Sequence, residues 1–585
     1  MSHVRAACSF LATAAALSHT ALAQSIPDST GLTALRQRLG AVNVPSGVSV
    51  IVGQVEANAP GWAPDAAHLE FAGKSFTMVS PTPTISGHAT AVGQYYYGLS
   101  TGIAPGIASV LCWEAIHFLG TGFINGTGPT PPKIAAFKVL NNSWIGAVGN
   151  SNFYLRKLDY AIDSQGLLVC SGVNNGTGPL DVPLLSHSYN GLAVGRSDGQ
   201  HHAGPTMVGV DGAGRMKPEI VAPAGATSFS TPLISGACSL LVDTARTWPS
   251  LATNPSAERP EVIKAALLAG ATHRPGWSNN PATSGATRGS TSTPMDALWG
   301  CDQVNVDKSH WILTGGEHAS DASAATASTV SPQGWEEVQT TSGASRFWRF
   351  SVESVKPYVS IVATWNRHLG TTYTTFSLPN LDLELWSIDA QGNLSALVGT
   401  SAGQFFAGGN VLSASGVDNL EHLYVSDLQP GEYALELRRS SDVHPAWNAA
   451  VAWEFACAEP VVFGVGKTNT LGQEARIATR GIPSESAGDF HLSISHAMPG
   501  ANGIVFYGST QASIPFHGGT RYVASPIQRS AIQTCGAAGE LDFPVAIDAS
   551  MPGTTRIYQF WYRDASHPDG TGVGLTNAVR VTFCR

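Results

Sequence analysis

The sequence predicts an α/β domain, a parallel sheet covered by helices on both faces, followed by two all-β, sandwich-like domains. Three observations predict it. Between about residues 47 and 306, short apolar runs alternate with stretches of helical periodicity. Strands that are apolar on both faces and separated by helices imply a parallel sheet buried on both sides. After about residue 320 the helices give way to strands alternating with period two. The length of 585 residues also exceeds what a single core organises, so several domains are required.

Taken in order, residues 1–23 carry a short positive start, an apolar run of small residues and "ALA" before Gln24. That is the pattern of a cleaved signal peptide, and it predicts a secreted or extracellular mature chain. "GLTALRQRLGAV" (31–42) suits a short packing helix. "GVSVIVGQVEA" (47–57), "IASVLCWEA" (107–115), "AFKVLNNSW" (136–144) and "GLLVCSG" (166–172) read as buried strands. "GHATAVGQYYYG" (87–98), "SFSTPLISGACSLLVDTAR" (228–246) and "PEVIKAALLAGA" (260–271) read as helices, the last with Pro260 in its first turn. "ASDASAATASTVSPQG" (319–334) is a linker candidate. Beyond it, "LDLELWSID" (381–389) alternates as a half-buried strand, and "EHLYVSDLQPGEYALELRR" (421–439) reads as strand, Pro-Gly turn, strand. The domains expected are therefore a signal peptide (1–23), the α/β domain (24–318), the linker (319–334), a β-sandwich (335–457) and a C-terminal β-sandwich (458–585).

Composition narrows the function classes. The net charge of −9 is mild for this length and no basic block occurs, which argues against nucleic acid as a partner. No later stretch reaches about 18 uninterrupted apolar residues, so no transmembrane span is expected. Of eight cysteines, Cys8 lies in the signal segment. Cys112, Cys170 and Cys238 lie in apolar segments and read as buried thiols. Cys535 and Cys584 are candidates for a disulfide, with Cys457 an alternative member of that region.

Ser228 in "GATSFSTPLISGA" (225–237) stands before apolar positions at helical spacing and reads as the first residue of a helix. It could cap that helix, or act as a nucleophile where unpaired N–H groups stabilise an oxyanion. The flanking residues decide for the second. "KPEIVAPAGATSFSTPLISG" (217–236) resembles the nucleophile segment of the subtilisin-like serine peptidases, with Ala226 and Ser230 as departures. Three more segments agree in order. "GHATAVG" (87–93) resembles the family's H-G-T-H-V-A-G, with His88 at the catalytic place and Ala89 and Ala91 departing. "VLNNSWIG" (139–146) resembles the strand that pairs with bound peptide. "CSGVNNG" (170–176) resembles A-A-G-N-x-G, with Asn174 at the oxyanion donor.

The resemblance implies a serine endopeptidase acting on polypeptides, with no cofactor needed for catalysis. It implies Ser228 as nucleophile, His88 as base, Asn174 as oxyanion donor, and Ser143, Trp144, Ile145 and Gly146 as the substrate-binding strand, where Ile145 would narrow the groove. The departures keep open a second reading, an inactive relative that binds peptide or serves in surface adhesion. The family's acid is an Asp ending the first strand, and this strand has none. Gln54 and Glu56 are the candidates. Glu56 is preferred, because a carboxylate both fixes the imidazole tautomer and stabilises the imidazolium. Asp382, Asp389 and Asp418 are candidates for a structural calcium site, against the simpler reading of solvated strand-edge carboxylates. His117, His201 and His202 read as surface residues, since no carboxylate or cysteine stands at ligand spacing. The 335–457 region is similar in texture to accessory sandwiches behind bacterial subtilisin-like domains, which implies cell-surface association through the C-terminal half.

Overall fold

The computed structural model describes residues 25–40, 42–126 and 128–585, apart from the side chain of Ala402. The signal-peptide reading of 1–23, with Cys8, lies outside the described residues. The α/β domain is built on seven parallel strands: β1 (Ile51–Glu56), β2 (Ser75–Met78), β3 (Ser109–Glu114), β4 (Val139–Asn142), β5 (Leu168–Gly172), β6 (Leu192–Arg196) and β7 (Ile220–Ala222). Their order across the sheet is β2-β3-β1-β4-β5-β6-β7. From β1 the chain crosses to the edge strand β2, returns inward through β3 and then adds β4 to β7 in turn on the other side, and the strand ends around β1 and β4 form the crevice where such sheets place their ligands.

Both faces of the sheet are covered, as near-continuous apolar strands require. On one face Val52, Val110, Cys112, Val139 and Cys170 pack against the long helix α4 (Thr227–Thr247), which also touches α2 (Gly87–Tyr97). On the other, Val55, Trp113, Leu140 and Val169 pack against Leu155, Leu158 and Ile162 of α3 (Ser151–Gln165). Since side chains alternate along a strand, Gln54 and Glu56 share the face of Val52 and look towards α2 and α4. The N-terminal α1 (Leu32–Leu39) buries Leu32 and Leu35, and its Arg38 pairs with Asp307 at 2.7 Å on α6 (Val306–Thr314).

The β-sandwich that follows pairs two sheets. One joins strands 333–340, 447–455, 356–365 and 420–428; the other joins 345–352, 431–439 and 381–388. Trp348, Trp365, Trp447 and Trp453 fill the space between them. The strands at 420–428 and 431–439, adjacent in sequence, lie in different sheets rather than forming a hairpin. The Pro430-Gly431 turn carries the chain from one layer to the other, so period-two alternation identified the strands but not their partners.

The 319–334 segment does not space two separate bodies. Asp321 bridges Phe347 and Thr329 bridges Arg349, and the first sandwich strand already begins at Gln333. Trp335, Val362, Leu420, Ala450 and Ala452 belong to the same core as α5 (Pro260–Ala269), so the outer face of one sheet is buried against the α/β domain. The small Ala450 and Ala452 let that helix approach closely. Ser290–Thr291 of the α/β domain adds a parallel edge strand to Leu412–Ser413. Arg367, fully buried, pairs with Asp159 of α3 at 2.7 Å and with Asp211 at 2.9 Å.

The last domain has a main sheet containing strands 461–463, 502–508, 555–563 and 573–582, with a smaller sheet of 476–480, 491–495 and 541–544. Its disulfide joins Cys457 to Cys584, while Cys535 is a free, buried thiol. Of the pairings open in the sequence, the fold brings together the first and last cysteines of the region and leaves Cys535 in the core between them.

Candidate active site

Glu56 ends β1 and is almost completely buried. His88 is the second residue of α2, whose N-cap Ser86 accepts a hydrogen bond from the Ala89 N–H. The Nδ1 of His88 lies 2.8 Å from Glu56 Oε2, and the ring is 43% exposed while the carboxylate is 2% exposed. Burial pushes the Glu56 carboxyl above its ordinary value, against the lowering effect of His88 and Gln54. The hydrogen bond that His88 Nδ1–H donates to Glu56 holds the His88 ring above its ordinary value, against its own partial burial. The extra methylene of Glu is accommodated without loss of contact to His88. Gln54, the other acid candidate, lies beside Glu56 and donates to its Oε1 at 2.9 Å.

Ser228 is the second residue of α4, not the first: the helix begins at Thr227, with Ala226 as N-cap and no side-chain cap. Ser228 therefore does not cap the helix. Among the described residues its N–H has no hydrogen-bond partner, while the N–H groups of Phe229 and Ser230 both bond to the Ala226 carbonyl. Phe229, its neighbour, has its ring centroid 5.7 Å from that of His88, which sets the imidazole against the first turn of α4. Pro232 stands four residues on and has no N–H, so the Ser228 carbonyl loses its helical partner. The Ser143 hydroxyl takes that place at 2.8 Å and ties the 143–146 strand to the serine. Ser143 is itself held by the Asn141 amide at 2.9 Å, and Asn141 accepts from Ser235 of α4 at 3.1 Å.

The rest of the strand expected to bind substrate, residues 144–146, is partly engaged. Trp144 is nearly buried and its indole N–H donates to Asn142 Oδ1 at 3.3 Å; the Gly146 carbonyl accepts from the Leu184 N–H at 2.9 Å. Ile145 is 40% exposed and, with Trp144, Val148, Ile116, Leu119 and Leu184, lines a cavity of about 440 Å³ beside the end of β1. Instead of closing the groove, Ile145 forms one wall of this apolar depression.

Asn174 sits elsewhere than the motif suggests. Its amide donates to both carboxylate oxygens of Asp181 at 3.3 Å, and Asp181 also lies 3.0 Å from His202 Nδ1. The neighbouring Asn175 meets α4: its Oδ1 accepts from the Thr227 N–H at 2.9 Å. The physical reason is one of length. Three residues separate Gly172 from Gly176, where A-A-G-N-x-G has two, so the turn presents the second asparagine to the helix. Gly172 makes the approach feasible, because a Cβ there would fall 2.9 Å from Thr231 Oγ1 on α4. The extra residue was visible in the sequence and was the one signal that could have pointed to Asn175.

The three calcium candidates do not converge. Asp382 pairs with Arg438 at 3.2 Å, Asp389 closes a turn with Asn393, and Asp418 accepts from Ser415 at 2.8 Å. Among the described residues no group of three or more His, Cys, Asp or Glu stands at metal-binding distance. His201, expected at the surface, is buried, with its Nε2 2.9 Å from the Leu298 carbonyl. His117 has its Nδ1 2.8 Å from the Ser80 hydroxyl. No helix among the described residues is long and apolar enough to cross a membrane.

No curated protein sequence matches the chain. Among solved structures, a cold-adapted subtilisin-like serine proteinase aligns at 18% identity and a TM-score of 0.24, over 33% of this chain and 76% of its own. A lanthipeptide protease aligns at 12% identity and 0.34, over 48% and 95% respectively. Fervidolysin from Fervidobacterium pennivorans, a keratinolytic enzyme related to subtilisin, aligns at 11% identity and 0.31, over 95% of this chain and 80% of its own. The model of the subtilase family matches residues 133–289, a span that contains Ser143, Asn175 and Ser228 and begins downstream of Glu56 and His88. Residues 133–289 of the chain are thus similar to the subtilase family of serine peptidases.

Proposed function

We propose that the chain is a secreted serine endopeptidase that cleaves polypeptides through Ser228, His88 and Glu56. The observation that carries this reading is the buried Glu56 carboxylate 2.8 Å from His88 Nδ1, with that ring set against the helix turn that bears Ser228. A carboxylate on Nδ1 keeps the proton there and leaves Nε2 free to accept. The Ser228 hydroxyl attacks the peptide carbonyl carbon as His88 Nε2 takes its proton. The imidazolium formed is stabilised by Glu56, and the carbonyl electron pair becomes an oxyanion. The unpartnered Ser228 N–H and the Asn175 amide are the donors for that oxyanion, Asn175 taking the role that the motif suggests for Asn174. Collapse expels the amine, which receives its proton from His88, and water then hydrolyses the acyl-serine by the same route.

Substrate backbone adds to the 143–146 strand, and the apolar cavity beside Ile145 favours an apolar side chain there. Export follows from the reading of residues 1–23, and attachment to a cell surface is a role open to the two β-domains. The test is labelling with a fluorophosphonate probe. The intact chain labels and hydrolyses an unfolded protein substrate, whereas Ser228→Ala does neither. Absence of labelling in the intact, folded chain would instead favour a peptide-binding groove without catalysis.

A further inference from the structure

We infer that Gln54, locked in place by Tyr97, is a positioning residue that holds Glu56 as a carboxylate directed at His88. The inference rests on the reading of Glu56, His88 and Ser228 as a triad. It goes beyond that reading by assigning work to two side chains that neither touch substrate nor belong to the triad.

All the partners of the Gln54 side chain are accounted for. Its Nε2 donates to Glu56 Oε1 at 2.9 Å and to the Ala89 carbonyl at 2.9 Å, while its Oε1 accepts from the Tyr97 hydroxyl at 2.6 Å. Gln54, Glu56, Ala89 and Tyr97 are all buried. The orientation of the amide is therefore determined. A backbone carbonyl only accepts, so the nitrogen must face Ala89. A flipped amide would set its oxygen against that carbonyl and against the Glu56 carboxylate. The phenol of Tyr97 holds the opposite end by donating to Oε1. The amide thus presents an N–H to Glu56 Oε1, which favours the acceptor-only, ionised form. Glu56 Oε2 is left for His88. Because Ala89 follows His88 in α2, the same amide fastens β1 to the turn that carries the imidazole.

The surroundings give Glu56 no other compensation. On β3, Cys112 is in register with Gln54 and Glu114 with Glu56; on β4, Asn141 is in register with Gln54 and Asn142 with Val55. The Glu114 carboxylate accepts from the His117 N–H at 2.7 Å. Of the titratable side chains of α2, His88 meets Glu56 and Tyr97 meets Gln54, whereas Tyr95 packs on Phe229 and Tyr96 meets Ser239 of α4. Among the described residues no Lys or Arg hydrogen-bonds to Glu56. Taking the Gln54 donor away leaves a buried carboxylate whose cheapest response is to hold the proton that would otherwise sit on His88. The neutral pair that results must lose a proton at higher pH before His88 can act as a base.

The experiment measures kcat/KM against pH for the intact chain, Gln54→Met and Tyr97→Phe. Alongside it, His88 is titrated by ring-proton NMR in a Ser228→Ala background, which needs no activity. The acidic limb and the NMR titration move to higher pH in Gln54→Met by about half a unit or more. They move in the same direction, by less, in Tyr97→Phe, and activity recovers towards the plateau at high pH. An unmoved titration of His88 in Gln54→Met, with activity lowered equally at all pH values, would show Gln54 to be structural only and overturn the proposal. An intact chain that never labels with phosphonate would overturn the triad instead, while the NMR titration still decides the role of Gln54.

Discussion

In the proposed mechanism, replacing Glu56 by Gln separates catalysis from folding. The substitution keeps shape and volume but removes the charge. The new Oε1 can still accept from Gln54. The new amide, facing His88 Nδ1, donates to it and so drives the ring proton onto Nε2, the atom that accepts from Ser228 in the proposed mechanism. Replacing a triad carboxylate by its amide in chymotrypsin-type peptidases lowers kcat by about 10⁴. At about 1.36 kcal/mol per tenfold, the same loss here is about 5.4 kcal/mol of transition-state stabilisation. Stability moves differently. Burial holds the Glu56 carboxyl above its ordinary 4.5, and Glu56 holds the His88 ring above its ordinary 6.5. Groups that bind protons more tightly in the folded state stabilise the fold at low pH. They lose that contribution as pH rises through the folded value. The pair's contribution in the intact chain therefore declines from pH 4.5 upward and again above 6.5. Glu56→Gln removes the first decline and weakens the second, so its melting temperature varies less with pH and is not lowered at pH 7. The assays are kcat on a peptide substrate and thermal unfolding between pH 4.5 and 8. A kcat within tenfold of the intact chain, or a kcat loss matched by a collapse in melting temperature, would refute the reasoning.

Two further outcomes follow from the geometry. Asn175→Ala lowers kcat by about 10²–10³ with KM little changed, whereas Asn174→Ala, which removes a contact to Asp181, has the smaller effect; the reverse order would restore Asn174 as the oxyanion donor. Arg367→Met strips a buried guanidinium from Asp159 and Asp211 and lowers unfolding free energy by about 3–5 kcal/mol in urea, with the α/β domain and the first sandwich melting together; two separate transitions in the intact chain would show that the shared core around Trp335 and Val362 does not couple them.

Much of the molecule was legible because it is local. Apolar runs and helical spacing located the strands and helices of the α/β domain, since the period of burial is written into consecutive residues. Glu56 was preferred to Gln54 on the chemistry of an imidazolium; the structure sets it 2.8 Å from His88 Nδ1, and parity along β1 sets both side chains on one face. Other features depend on which distant residues meet, and no local period encodes that. The sequence could offer two neighbouring asparagines, but only the path of the turn after Gly172 decided which one reaches α4. It could name Cys457, Cys535 and Cys584, but pairing is set by where strands hundreds of atoms apart come to rest.

The composition of residues 319–334 is that of a linker, yet edge hydrogen bonding to strand 345–352 holds the segment against the sandwich. The alternation at 421–439 marks two strands, yet the buried faces of two different sheets claim them. Tyr97 reads as one of three consecutive tyrosines in a helix, and Gln54 as the alternative acid candidate on the same face of the strand as Glu56. Their contact appears only when β1 and α2 pack, because a buried amide must satisfy both of its ends, and two of its partners, Ala89 and Tyr97, lie dozens of residues away. The sequence by itself determined the layers, the helix that bears Ser228 and the strand that bears Glu56; tertiary packing decided which asparagine meets α4, the disulfide, the domain contacts and the hydrogen bonds around Glu56, because burial in a shared core forces each polar group onto whichever partner the fold has brought within reach.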